Sequence, residues 1–395
     1  MIRPPDYVKG VLKTLEHHGY QAYLVGGCVR DMVMGRTPHD WDVTTDAQPD
    51  GVQAVFPRTA PTGLRHGTVT VVTSAGHVEV TTMRREGPYT DHRRPEQVAY
   101  VSDLTEDLSR RDFTINAMAL SLDGELIDPF GGTSDIGQKI IRCVGDPAAR
   151  FSEDALRMLR ALRFSAKLGF AIHPETLAGI RTSAHLAETL SAERVRDEIE
   201  NMLCSDRPEI VAHVLELGLL AAYITGTPAN RAEINRLGQV SPHRYHRWAA
   251  FAAALKKSGT IVSAAKFLRA LRLDNKTIRT AAHGADLALS GNAPADAVAC
   301  KRLLAEHGVD TIRCMAEAAA FFGCEDSIPQ LEAVLSSGAC FSLGQLAIDG
   351  SDLIALGFSG TEIGRILAAL LDHVIRNPAD NRRETLLDLA GTLQE

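Results

Sequence analysis

The run Tyr23-Leu24-Val25-Gly26-Gly27-Cys28-Val29-Arg30-Asp31, followed after eight intervening residues by Asp40-Trp41-Asp42, decides how this chain reads. Flanked by Trp41, Val43 and Thr44, the two acids read as strand, and side chains at i and i+2 of a strand share a face. Carboxylates paired on one face repel unless a cation lies between them. A hard divalent ion with oxygen ligands, Mg²⁺ above all, meets that need. The glycine pair falls where a strand ends and a helix begins, and free backbone N–H groups at such a place suit phosphate. Acids for a metal beside a phosphate cradle point to chemistry on a nucleoside triphosphate.

A third acid sharpens the pattern. Thr68 to Thr73 reads as a strand, Ser74-Ala75-Gly76 as a turn, and His77 to Thr81 as a second strand carrying Glu79. If this hairpin pairs beside the Asp40-Asp42 strand, Glu79 becomes a third ligand. Three carboxylates can hold two metals about 4 Å apart, the arrangement used for in-line phosphoryl transfer.

Two further motifs carry chemistry. The run Arg110 to Ala119 (RRDFTINAMA) places Arg111, Asp112 and Asn116 together on a helix start or turn. Arginine offers a fork to phosphate, and Asp and Asn can bond a ribose hydroxyl. A helix opening at Ser152 then puts Asp154 and Arg157 at i, i+3 on one face. As a surface salt bridge the pair contributes a few tenths of a kcal/mol. As a base reader, Asp accepts from an exocyclic amine while Arg donates to a ring acceptor. Cytosine and adenine fit; uracil and guanine present the reverse polarity. Such a contact discriminates by roughly 1–3 kcal/mol. The polar stretch Met83 to Pro95 between these motifs reads as a mobile loop beside the site.

The chain's 395 residues suffice for two to four domains. No run of 18 apolar residues occurs, and the N-terminus lacks the apolar core of a secretory signal, so no membrane association is expected. Seven scattered cysteines without a C-x-x-C imply a reducing cytoplasm and argue against structural zinc. The net charge of −7 confines any nucleic-acid surface to local patches. Candidates are Lys266, Arg269, Arg272, Lys276 and Arg279, and His243, Arg244, His246 and Arg247 ahead of Trp248. Mixed strand and helix signals fill residues 1–150, with strands near 21–25, 40–44, 68–73, 77–82, 98–101 and 117–122; helical periodicity follows from 151 onward. Neither a P-loop nor a G-x-G-x-x-G fingerprint is present.

Together the GGxVRD…DxD, RRDFTINA and EDxxRxxR motifs resemble the class II tRNA nucleotidyltransferases, the CCA-adding enzymes and bacterial poly(A) polymerases. The resemblance implies an α+β polymerase-β-type nucleotidyltransferase head (1–150), followed by an all-helical neck (151–215), body (216–310) and tail (311–395). It implies metal binding by Asp40 and Asp42, with Glu79 completing the catalytic acids. Nucleotide binding would fall to Gly26, Gly27, Arg30, Arg111, Asp112, Asn116, Asp154, Arg157, Arg160 and Arg163. Ser191 to Ile199 resembles the motif that braces the neck helices. The implied reaction is template-independent addition of CCA to tRNA from CTP and ATP with Mg²⁺, in the cytoplasm; a homodimer is allowed. The Asp91-x-Arg93-Arg94-Pro95 element, intact by this resemblance, favours competence for A addition. The alternatives are an A-adding tRNA enzyme, a poly(A) polymerase, or a non-catalytic RNA binder on a degenerate head.

Overall fold

The structure, a computed structural model, describes residues 2–64, 67–87, 98–227, 231–291, 294–324 and 327–393. The chain divides into two compact units, residues 1–202 with 213–222, and residues 203–212 with 223–395.

The first unit is built on a seven-stranded sheet. Its elements begin with α1 (Asp6–His17), β1 (Ala22–Val25), α2 (Gly27–Val33), β2 (Asp42–Thr45), α3 (Pro49–Val55), β3 (Thr59–Gly63), β4 (Thr68–Val72) and β5 (His77–Thr82). The short pair β6 (Arg84–Glu86) and β7 (Val98–Tyr100), α4 (Leu104–Ser109), β8 (Ala119–Leu120), β9 (Leu126–Ile127) and α5 (Gly132–Gln138) follow. The sheet order is β3-β4-β5-β2-β1-β8-β9. Every neighbouring pair is antiparallel except β2 and β5, which run parallel.

Alternation along the strands decides which face is covered. Val43, Val69, Val71, Val78 and Val80 share a buried cluster with Val8, Val11, Leu12 and Leu15 of α1. Those α1 positions recur at three- and four-residue spacing, so one stripe of the helix is apolar. Burying each such side chain contributes roughly 1.5–3 kcal/mol. The intervening residues Asp42, Thr44, Glu79 and Thr81 belong to the opposite face. On that side a smaller cluster of Val25, Met83, Leu104, Leu108 and Ala119 seats α4.

Strand β10 (Ile140–Ile141) leads into α6 (Pro147–Glu153), α7 (Leu156–Leu168), β11 (Ala171–Ile172), α8 (Pro174–Ser183), α9 (Ala192–Leu203) and α10 (Val211–Glu216). Strands β10 and β11 form a parallel two-stranded ladder. The second unit is all helical: α11 (Arg231–Ile234), α12 (Arg244–Lys257), α13 (Ala264–Ala270), α14 (Asn275–Leu289), α15 (Ala297–His307), α16 (Val309–Phe321), α17 (Ser327–Ser336), α18 (Gly350–Ala355), α19 (Thr361–Arg376) and α20 (Arg383–Thr392). Helices α14 and α16 cross closely at Gly284, where a Cβ would sit 2.5 Å from that of Cys314. A separate core of Ile348, Leu353, Phe358, Ile366, Leu370, Val374 and Leu386 holds α18, α19 and α20.

Several sequence expectations change here. Strand β2 starts at Asp42, so Asp40 lies in the bend before it. Residues 84–86 are strand, paired with 98–100, because the stretch read as loop opens on a hairpin stem. The Asp91 to Pro95 element lies outside the described residues. Arg247 is no surface cation: it is 3% exposed and donates to the carbonyls of Val240, Ser241 and Leu203. Lys266, Arg269, Arg272, Lys276 and Arg279 are exposed as a patch requires, with Lys276 paired to Asp310. All seven cysteines are free thiols. Among the described residues no helix is long and apolar enough to cross a membrane.

Candidate active site

Parallel pairing sets Asp42 opposite Glu79 in the β2–β5 register, and the Glu79 N–H donates to the Trp41 carbonyl at 3.0 Å. The two carboxylates therefore leave the sheet on one face, with Asp40 close by. Burial pushes the Asp42 carboxyl up to about 6; Arg111 opposes the rise, and Glu79 and Asp40 add to it. A half-buried acid beside two other acids is stabilised by a cation. The donor set is oxygen only, which fits a hard divalent ion. Among the described residues no three His, Cys, Asp or Glu side chains already close around one point as a finished metal cage.

Gly26 follows β1 with φ 75° and ψ −134° and caps α2. A Cβ there would lie 2.9 Å from Nη1 of Arg111 and 3.6 Å from Oδ2 of Asp42. The glycine turn, the arginine and the acid thus meet at one point. Arg111 follows α4, and Asp112, Phe113 and the 3₁₀ turn Thr114–Asn116 continue the motif.

Behind this point runs a buried polar chain. Arg30 donates to Asp31 at 2.8 and 2.9 Å and to the Asn116 side-chain carbonyl at 2.8 Å. Asn116 donates to Asp112 at 3.1 Å, and Arg160 donates to the other Asp112 oxygen at 2.8 Å. Burial alone would raise the Asp112 carboxyl; Arg160, with the Asn116 bond, outweighs it and holds the group down to about 2. Its ordinary value is 3.8, so its stabilising contribution is present above about pH 4 and is lost as pH falls toward 2. Asp112→Asn is expected to cost on the order of 2 kcal/mol near neutrality and to flatten the stability profile between about pH 4 and 2. Urea unfolding across that range measures this; an unchanged acid limb in the variant would contradict it.

The base-reading pair is not placed as the sequence suggested. Helix α6 ends at Glu153, and Asp154 is extended (φ −137°, ψ 102°) in the break before α7. The expected continuous helix from Ser152 is absent because the Asp154 carboxylate caps the next helix, accepting the Leu156 N–H at 3.1 Å. Asp154 also accepts Arg194 at 2.8 and 3.1 Å. Arg157 turns to Glu153 at 2.6 Å and to the carbonyls of Arg110 and Arg150 at 2.9 and 3.2 Å. The two residues are joined through the backbone, the Arg157 N–H donating to the Asp154 carbonyl at 3.0 Å. Arg163 is held by Glu198 at 2.5 Å. Arg194 and Glu198 both come from the segment read as a brace.

Phe164 escaped the sequence reading. It is 5% exposed and lies edge-on to Phe113, with ring centroids 5.8 Å apart. The guanidinium carbons of Arg30, Arg160 and Arg163 lie 5.4, 5.4 and 4.2 Å from its centre. An aromatic following arginines at three-residue spacing is the signal that could have found it.

Strand-borne acids, a glycine turn and an arginine at one point, in an α+β head followed by helices, define a nucleotidyltransferase. The family model for the Poly A polymerase head domain matches residues 22–142. The probable RNA and SrmB-binding site of polymerase A matches 169–227, and the putative tRNA nucleotidyltransferase domain 2 matches 242–390. The CCA-adding enzyme of Lactiplantibacillus plantarum is 36% identical over 97% of this chain and 95% of its own length. That of Geobacillus sp. strain WCH70 is 37% identical over 98% and 96%. The crystal structure of the Bacillus stearothermophilus CCA-adding enzyme in complex with CTP superposes with a TM-score of 0.81 at 33% identity, over 100% of this chain and 98% of that one. The chain belongs to the CCA-adding enzymes, the tRNA nucleotidyltransferases.

Proposed function

We propose that the enzyme builds CCA at tRNA 3′ ends with Asp40, Asp42 and Glu79 as its catalytic acids and with CTP and ATP as substrates. The convergence of Gly26, Arg111 and Asp42 beside Glu79 carries this reading. Asp40 and Asp42 would hold divalent cations, and Mg²⁺ suits their oxygen-only character. When bound, such ions activate the terminal 3′-hydroxyl and neutralise charge on the phosphates. The chain's own residues do the rest. Gly26 and Gly27 let the triphosphate approach the backbone, and Arg111 faces it with Arg30 behind. Asp112 and Asn116, already locked together, present a fixed edge to the ribose. Arg160 and Arg163 add positive charge around Phe164.

Asp154 and Arg157 select the base. Reading requires Arg157 to exchange its present carbonyl and Glu153 partners for a ring acceptor. Arg157→Ala should narrow the preference for CTP over UTP by roughly 10–100-fold while lowering CTP turnover less. Labelled NTPs offered singly to tRNA lacking its 3′ end measure both; equal loss with every nucleotide removes the assignment. In the wild type, UTP or GTP entering as readily as CTP would overturn base reading altogether.

The head (1–150), neck (151–215), body (216–310) and tail (311–395) divide the work, with the exposed Lys266 to Arg279 patch supporting tRNA contact by the helical parts. Free cysteines support a cytoplasmic location. Homodimerisation is open to light scattering.

A further inference from the structure

Asp107 of α4 is fully buried and belongs to none of the family motifs above. One carboxylate oxygen accepts Nε and Nη2 of Arg110 at 2.9 and 2.7 Å and the Arg84 N–H at 3.3 Å. The other accepts the Thr44 hydroxyl at 3.2 Å and Nη2 of Arg111 at 3.4 Å. Thr44 lies two residues beyond Asp42 on β2, and Arg84 opens β6. A single carboxylate therefore ties the acid-bearing strand, the 84–86 strand and two successive arginines together.

Arg111 needs such an anchor. Its Nη1 is the atom that meets the Gly26 turn, while its Nε is buried and, among the described residues, without a partner. Asp107 is its ion-pair partner, at 3.4 Å, and Asp42 acts on it only as a nearby charge. Asp42 is the acid assigned to cation binding, so Asp107 is the anchor that stays. Burial would raise the Asp107 carboxyl, but Arg110 and Arg111 together hold it below its ordinary value, so it remains an anion.

We propose that Asp107 is a positioning residue for nucleotide binding: it holds the Arg111 guanidinium at the Gly26 turn and occupies Arg110 on its other oxygen. This rests on the assignment of Arg111 to the triphosphate. In Asp107→Asn the amide N–H groups face arginine donors, and Arg111 loses its fixed place. The KM values for CTP and ATP are expected to rise about tenfold each, with the KM for tRNA within about twofold of wild type. On an Arg111→Ala background the same change should add less than about twofold, because the two act through one interaction. A purely structural role predicts otherwise: lower kcat and melting temperature at unchanged nucleotide KM, or the same factor on both backgrounds. Either result overturns the proposal. Arg111→Ala separates the two readings. If it leaves nucleotide KM unchanged, the triphosphate assignment fails and takes Asp107 with it; if it raises KM while Asp107→Asn does not, only the Asp107 proposal fails. Should Asp107→Asn not fold, Arg110→Gln serves. It leaves the carboxylate to Arg111, so nucleotide KM should stay within about twofold, and a rise matching Arg111→Ala would overturn the proposal.

Discussion

Asp42→Ala is expected to lower incorporation of both CTP and ATP by at least about a thousandfold while leaving tRNA binding intact. The acid begins β2, faces Glu79 across the ladder, and touches the Gly26–Arg111 meeting point. No neighbour can replace it: Asp40 sits in the bend and Glu79 one strand away. Stability should move the other way. Asp42 is half-buried, and loss of solvent raises its pKa to about 6, with the like charges of Glu79 and Asp40 adding to the rise against Arg111. Removing it relieves repulsion, so the variant should melt no lower than wild type. Loss of activity without loss of stability marks a residue retained for chemistry. Labelled-nucleotide incorporation and a thermal melt on one preparation test both parts; turnover within tenfold of wild type would refute the assignment.

Gly26→Ala should reduce kcat/KM for both nucleotides by about a hundredfold, mostly through KM. Two effects combine. A backbone at φ 75° and ψ −134° is strained for any residue with a side chain, by roughly 1–3 kcal/mol. The new methyl would also stand 2.9 Å from Nη1 of Arg111, and the guanidinium must yield because backbone cannot. Gly35→Ala separates the causes. Gly35 has φ 70° with nothing within 4 Å of an added Cβ, so that variant carries strain alone and should keep near-normal kinetics. Equal kinetic loss in both variants would assign the effect to strain rather than to a displaced arginine.

Much of this site was legible because its signals are local. Gly26-Gly27 announces a turn that only glycine makes easily, and an alternating run around a short turn gives the β4–β5 hairpin directly. That the hairpin lies beside β2 was a condition in the sequence and is a fact of the ladder. What was hidden depends on long-range partners. Asp154 and Arg157 have helical spacing, but Asp154 is drawn out by a cap to Leu156 and by Arg194, forty residues away. Phe164 looks like an ordinary core residue until Arg30 arrives from α2. Asp107 passes for a surface acid of a short helix until Thr44, Arg84 and Arg111 surround it. Strands β10 and β11, two residues each, are too short to leave a periodic trace.

That small ladder bears on how such proteins can be recombined. Ile140–Ile141 lies before residue 150 and Ala171–Ile172 after it, and the two run in register. Cys143, just beyond, is tied through its N–H to the Thr176 hydroxyl at 3.1 Å. Transplanting residues 1–150 into a relative would unzip these bonds and leave an unsatisfied strand edge on both pieces. The natural crossover point for a chimaera lies further along, beyond α10, where Arg194 and Glu198 have also met their partners and the seam has already been sewn.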